Sequence, residues 1–102
     1  MDHRLGMRRP LILPVRLERQ GKILARGCTL DVSLSGAYVK TSPAPALLTR
    51  VDVVCREHRA AAIEALRIAA FVTRVTAHGL AVEWCEFAPP VIHRLLALAE
   101  SA

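Results

Sequence analysis

Turn signals recur at short intervals along this chain, and the apolar segments between them are the length of strands rather than helices. Gln20-Gly21-Lys22, Asp31 to Gly36, Thr41-Ser42-Pro43-Ala44-Pro45 and Thr76-Ala77-His78-Gly79 break the sequence into pieces. Gly, Asp, Ser and Pro each bend or end regular structure for a different physical reason, so these breaks are turn predictions with a mechanism. Leu11, Leu13, Val15 and Leu17 alternate with Ile12, Pro14, Arg16 and Glu18, which is a strand with one apolar face. Pro14 lacks a donor and predicts an edge position or a bulge at that point. A second strand is expected over Ile23 to Leu30, with Ile23, Ala25 and Gly27 on one face, and a third over Ala37-Tyr38-Val39-Lys40. Val51 to Cys55 makes a fourth, Arg67 to Val75 a fifth and Leu80 to Cys85 a sixth.

One segment has helical periodicity. After Pro89-Pro90, residues 91–100 carry Val91, Leu95 and Leu98 beside Ile92, Leu96 and Ala99, a wide apolar stripe that must be buried. It is expected to plug an open end of the sheet, with contact to a second copy of the chain, a homodimer, as the alternative. Arg59 to Leu66 is rich in helix formers and predicts a short helix by propensity alone. Six strands and a terminal helix describe an all-β fold, a six-stranded antiparallel β-barrel closed by a C-terminal α-helix. With 102 residues there is one domain: a flexible arginine-rich arm over residues 1–9, then the barrel over 10–102.

Composition narrows the function classes. No apolar run approaches the roughly 20 residues of a membrane helix, and no apolar segment follows the first residues as in a secretion signal, so a cytoplasmic location is expected. Cys28, Cys55 and Cys85 are odd in number and far apart, and are expected to act as small buried hydrophobes rather than metal ligands or a disulfide framework. His3, His58, His78 and His93 are scattered, without a nucleophile and base pattern. No paired carboxylates or metal cluster stand out, so neither an enzyme nor a bound cofactor is expected. The net charge of +5 is carried almost wholly by arginine, with Lys22 and Lys40 the two lysines, and arginine matches phosphate and guanine edges with two parallel hydrogen bonds.

Position gives that charge a meaning. Arg4-Leu5-Gly6-Met7-Arg8, followed at once by Arg9, precedes the first strand; Asp31-Val32-Ser33-Leu34-Ser35-Gly36 links the second to the third. RxxxR, two strands and then DxSxxG, in that order, resembles the PilZ family of bacterial cyclic di-GMP receptors. The late hairpin, Gly79-Leu80-Ala81-Val82-Glu83-Trp84, is similar to that family's GxGVxF pattern, and the closing helix also matches. The resemblance implies a hairpin turn at residues 56–66; the segment is longer than such a turn requires, so a helical turn or a long β-excursion is expected there.

The ligand's chemistry fits what the resemblance implies. Cyclic di-GMP offers two phosphates and two guanines, and arginine reads guanine O6 and N7 bidentately or pairs with phosphate. By analogy with the family's motifs, Arg4 and Arg8 grip phosphate or base, with Arg9 a rival for the second role. Asp31 accepts from guanine N1 and N2, Ser33 offers a hydroxyl or backbone group, and Gly36 keeps the turn open to the ligand. A downstream protein partner would sense the change.

Two other functions compete. A PilZ-like adaptor that binds no ligand would dock a protein through the barrel or through Leu95 and Leu98 of the helix. A nucleic-acid-binding barrel is less well supported, because Tyr38, Phe71, Trp84 and Phe87 are its only aromatic residues and base-stacking proteins use several.

Overall fold

The computed structural model describes residues 8–42, 44–59 and 62–101. Strands β1 (Arg9–Pro10), β2 (Pro14–Arg19), β3 (Lys22–Val32), β4 (Gly36–Thr41), β5 (Arg50–Arg59), β6 (Ala62–Val75) and β7 (Gly79–Trp84) precede one helix, α1 (Ile92–Ser101). All pairings are antiparallel, in the order β1-β3-β2-β5-β6-β7-β4, and β3 also pairs with β4. That last pairing closes β2 to β7 into a six-stranded barrel, with β1 as an added two-residue strand on β3. The barrel and its helix are those expected from the turn spacing.

Alternation builds the core. Leu17 faces Val53 and Val53 faces Ile68; Val51 faces Ala70 and Ala70 faces Trp84; Val32, Ala37, Val82 and Val72 form a third inward row. Every one of these side chains is buried. Each is worth about 1.5 to 3 kcal/mol if large and fully removed from water, so the rows carry most of the driving force. The helix adds Ile92 and Leu95, both in the same core, and therefore plugs the barrel. Leu95 is 2% exposed, which corrects its assignment as a docking residue: a polar group there would disrupt the core before it tested any partner. The side chain of Leu98 lies outside the described residues.

Three local expectations are corrected and one open alternative is decided. Pro14 lies on an interior strand, flanked by β3 and β5, and is accommodated because it is the strand's first residue, where β5 has not yet begun to pair with β2. At residues 56–66 the long β-excursion, and not the helical turn, is the alternative found: β5 and β6 run on as a pair from Arg56 opposite Ala65 to Arg59 opposite Ala62. Pairing in a hairpin overrides alanine's helix preference, which amounts to only tenths of a kcal/mol per residue. Cys55 is buried as expected, but Cys28 is only partly covered and Cys85, just past the end of β7, is exposed. Ile23 is 43% exposed, whereas Ala25 faces the core, because the β2 and β3 registers shift between Leu17 and Glu18.

Gly36 is needed for a different reason from the one its motif suggests. Its φ is not in the left-handed region; instead a Cβ built there would lie 2.0 Å from the carbonyl oxygen of Val82, on the strand paired with it. The space beside Gly36 is occupied by the protein's own backbone. Gly36→Ala should therefore destabilise the fold by on the order of 3 kcal/mol, the upper end of overpacking costs, because the obstructing atom is main chain and cannot rotate away. Urea denaturation measures this, and an unchanged midpoint would show that β4 and β7 do not approach so closely.

Candidate functional site

The DxSxxG segment divides into two parts with different work. Asp31 and Val32 are the last residues of β3, and the turn proper is Ser33 to Ser35. Ser33 is fully buried. Its hydroxyl oxygen accepts from the backbone N–H of Gly36 at 3.1 Å and of Ser35 at 3.2 Å, while its own N–H donates to the Gly36 carbonyl at 2.8 Å. The turn's carbonyls are engaged as well. Trp84 donates its indole Nε1–H to Ser33 O at 3.0 Å and its backbone N–H to Ser35 O at 2.8 Å, and Ala88 N–H donates to Leu34 O at 2.9 Å. With these groups satisfied internally, Ser33 shapes a rigid turn; its hydroxyl does not project from the surface.

Asp31 is turned outward by an irregularity. The register of β3 against β4 shifts between Thr29 and Asp31, so Leu30 is the extra residue of a bulge and Asp31 comes to lie opposite Tyr38. On its other side Asp31 lies opposite Pro10 of β1. The chain thus enters the barrel beside the carboxylate, and Arg8 Nη1 donates to Asp31 Oδ1 at 2.6 Å. The pair is half in water, with 45% of the Arg8 side chain and 28% of that of Asp31 exposed. Such a pair contributes no more than about 1 kcal/mol to stability, and its charges remain open to a third partner.

The two ends of the sequence motif are therefore in contact through Arg8. Arg9 lies opposite Val32, one residue out of step with the Pro10 to Asp31 pair, so alternation directs it away from the carboxylate that Arg8 reaches. Arg4 lies outside the described residues.

Thr29 is what fixes the path of this leader. Buried at 2% exposure, it donates its hydroxyl to Leu11 O at 2.6 Å and accepts from Leu13 N–H at 3.0 Å. The backbone continues the clasp, with Leu11 N–H donating to Leu30 O at 3.1 Å and Thr29 N–H to Leu13 O at 2.9 Å. Sequence reasoning passed over Thr29, because a threonine between Cys28 and Leu30 is indistinguishable from any β-branched strand residue. In the sequence Trp84 reads only as an aromatic residue and a motif echo; its tie to Ser33 spans 51 positions and leaves no local trace.

A second polar cluster lies elsewhere on the barrel wall. Glu18, 5% exposed, takes Arg16 Nε at 2.9 Å on one oxygen and Arg67 Nη1 at 3.2 Å on the other, and Arg67 also reaches Asp52 Oδ2 at 3.3 Å. The Arg16 contact is close but off the N–H axis, so it counts as an ion pair and not as an aligned hydrogen bond. Here the arginines are committed to carboxylates of the same chain, in contrast to the exposed corner at Asp31. Open clefts of about 300 Å³ (Glu18, Arg19, Gln20, Arg50, Val51, Asp52) and about 310 Å³ (Arg67 to Ala69, Cys85, Glu86, Pro89 to Val91) lie away from that corner. Among the described residues no group of three or more His, Cys, Asp and Glu could hold a metal ion, and no helix is long and apolar enough to cross a membrane.

No family profile matches the chain, and no curated protein matches it. Among solved structures it superposes on the Bacillus subtilis inhibitor of motility (MotI/DgrA) with a TM-score of 0.72 at 16% identity, covering 99% of this chain and 51% of that one. The likeness is one of fold, and this chain spans about half the length of that protein.

If Thr29 holds the leader in place, Thr29→Val removes a donor and an acceptor without changing shape, leaving Leu11 O and Leu13 N–H unpaired. A loss of about 1 to 3 kcal/mol is expected. Hydrogen exchange should speed up selectively at the Leu11 and Leu13 amides. Unchanged protection at both amides would rule out the clasp.

Proposed function

We propose that this chain is a cyclic di-GMP receptor whose leader and Asp31 corner together hold the dinucleotide and pass the signal to a downstream protein. The observation that carries this is the 2.6 Å contact of Arg8 with Asp31, which joins the RxxxR and DxSxxG segments at one exposed point. In this reading Arg8 exchanges its carboxylate for the ligand's phosphate or guanine O6 and N7, and the freed Asp31 accepts from guanine N1–H and N2–H. Arg4 supplies further positive charge toward the two phosphates, and Arg8 rather than Arg9 takes the second arginine's role, since Arg9 lies one residue out of step with Asp31. Ser33 and Gly36 act through the turn, holding Asp31 on its rigid base without touching the ligand themselves. No bound cofactor and no catalytic step are part of this function, and a cytoplasmic receptor is the setting it implies.

The output partner belongs to the same proposal. The superposed Bacillus protein is named as an inhibitor of motility, so a motility component is the first partner to try. A ligand-independent adaptor is the alternative reading, and it needs a docking surface other than Leu95.

Isothermal titration with cyclic di-GMP tests the reading directly. Micromolar or tighter binding, on the order of −8 kcal/mol, is expected. Arg8→Ala and Asp31→Ala should each weaken it by about 10-fold or more while leaving the melting temperature nearly unchanged, since the pair between them is exposed. No heat and no melting shift at saturating ligand would remove the receptor reading and leave the adaptor.

A further inference from the structure

We infer that Tyr38 is the base-stacking shelf of the Asp31 corner, its ring laid flat on the barrel wall to receive a purine whose donor edge faces the carboxylate. The inference rests on the guanine-nucleotide reading above and adds a residue that the two sequence motifs do not contain.

The register puts the ring in the right place. Asp31 of β3 is directly opposite Tyr38 of β4, Tyr38 is opposite Ala81 of β7, and Ala81 is opposite Arg74 of β6. Direct cross-strand partners share a face and have Cβ atoms about 5 Å apart, so the phenol starts next to the carboxylate on the outer wall. Asp31, Tyr38, Ala81 and Arg74 form one outward row, about 14 Å across at three strand spacings. Exposed Arg74 puts a second guanidinium at its far end.

The hydrogen bonding sets the ring's attitude. Tyr38 is on β4, whereas its hydroxyl lies 2.6 Å from Thr76 Oγ1, in the turn that follows β6. Strand β7 runs between the two, so the side chain can span them only by lying along the wall across it. Room for this comes from Ala81 and from Gly79, where an added Cβ would lie 3.1 Å from the Tyr38 hydroxyl. Thr76 is itself held: its Oγ1 accepts from Gly79 N–H at 3.2 Å and from His78 N–H at 3.3 Å. One ring face is thereby applied to the wall and the other is left toward water, in keeping with the partial burial of the residue.

A flat, anchored aromatic beside an outward carboxylate is suited to a planar base that donates from its edge. Stacking supplies affinity without restricting sequence, and the carboxylate supplies the preference for guanine. Because Thr76 fixes the ring before the ligand arrives, little rotamer freedom is lost on binding.

Titration of cyclic di-GMP into the wild-type chain and into Tyr38→Leu, Tyr38→Phe and Tyr38→Trp separates the possibilities. Tyr38→Leu should weaken binding by about 10-fold or more, while Phe and Trp, which keep a ring, stay within a few-fold of wild type. The guanine H8 proton should move upfield on binding to wild type and to the Trp variant, a ring-current signature that a merely structural residue would not produce. Should Tyr38→Leu fail to fold, the H8 shift in wild type and the Phe and Trp affinities still decide. Binding by wild type with no H8 shift, or with full affinity in Tyr38→Leu, would overturn the shelf and leave the receptor reading standing. An absence of binding by wild type would remove both.

Discussion

Pairing between β3 and β4 turns an open sheet into a barrel, and it is a seam with two irregularities that the candidate site depends on. At one, the bulge at Leu30 re-aims Asp31 to the outer wall; without it, strict alternation from inward Thr29 would still give an outward Leu30 and would turn Asp31 inward. At the other, the chain reverses through Ser33 to Ser35 and brings Gly36 against Val82. Both depend on closure of the ring, because the turn that joins β3 to β4 is bonded to Trp84 of β7 and to Ala88 beyond it, and the leader is bonded to Thr29 of β3. A strand-register slip here would lose the buried row and the outward carboxylate together.

The sequence made the strands, the closing helix and the motif spacing legible because each is signalled by residues a few positions apart. Ser33's burial, Gly36's approach to Val82 and Thr29's clasp on Leu11 and Leu13 were not legible, since each is set by contact with a distant strand. Gly36 is instructive. From the motif alone its missing Cβ reads as freedom to turn or as room for a ligand, and the structure spends that room on a neighbouring carbonyl. Arg59 to Leu66 shows the opposite case: local preference favours a helix, the segment's length also admits a β-excursion, and pairing between β5 and β6 decides for the excursion. Tyr38 falls between these cases: its place in a strand was legible, but its neighbour Asp31 became visible only with the bulge counted.

Arginine is used in two ways on this surface, and the contrast explains why net charge alone could not locate a site. Around Glu18, Arg16 and Arg67 are neutralised by carboxylates of the same wall, and Val54, 1% exposed, sits between those two arginines in the register and is roofed by them. That cluster is structural, because removing one partner would strand a nearly buried charge. At Asp31 the pair is exposed and its members can change partners at small cost. A site for an anionic ligand needs the second arrangement.

The same distinction bears on how a leader peptide can serve as part of a binding site without a large entropic penalty. Ordering the backbone of a residue costs about 1 to 2 kcal/mol, so three residues fixed only on binding would offset a large part of a micromolar affinity. Residues 8–10 are already fixed in the folded state, by the Arg9–Pro10 pairing with β3 and by the Arg8 contact with Asp31. Folding thus carries the cost for these positions, and what the proposed ligand must overcome there is the exchange of one exposed ion pair. Thr29 is the residue that makes this economical, since it anchors the leader through the barrel wall and leaves the Arg8 guanidinium free to exchange partners.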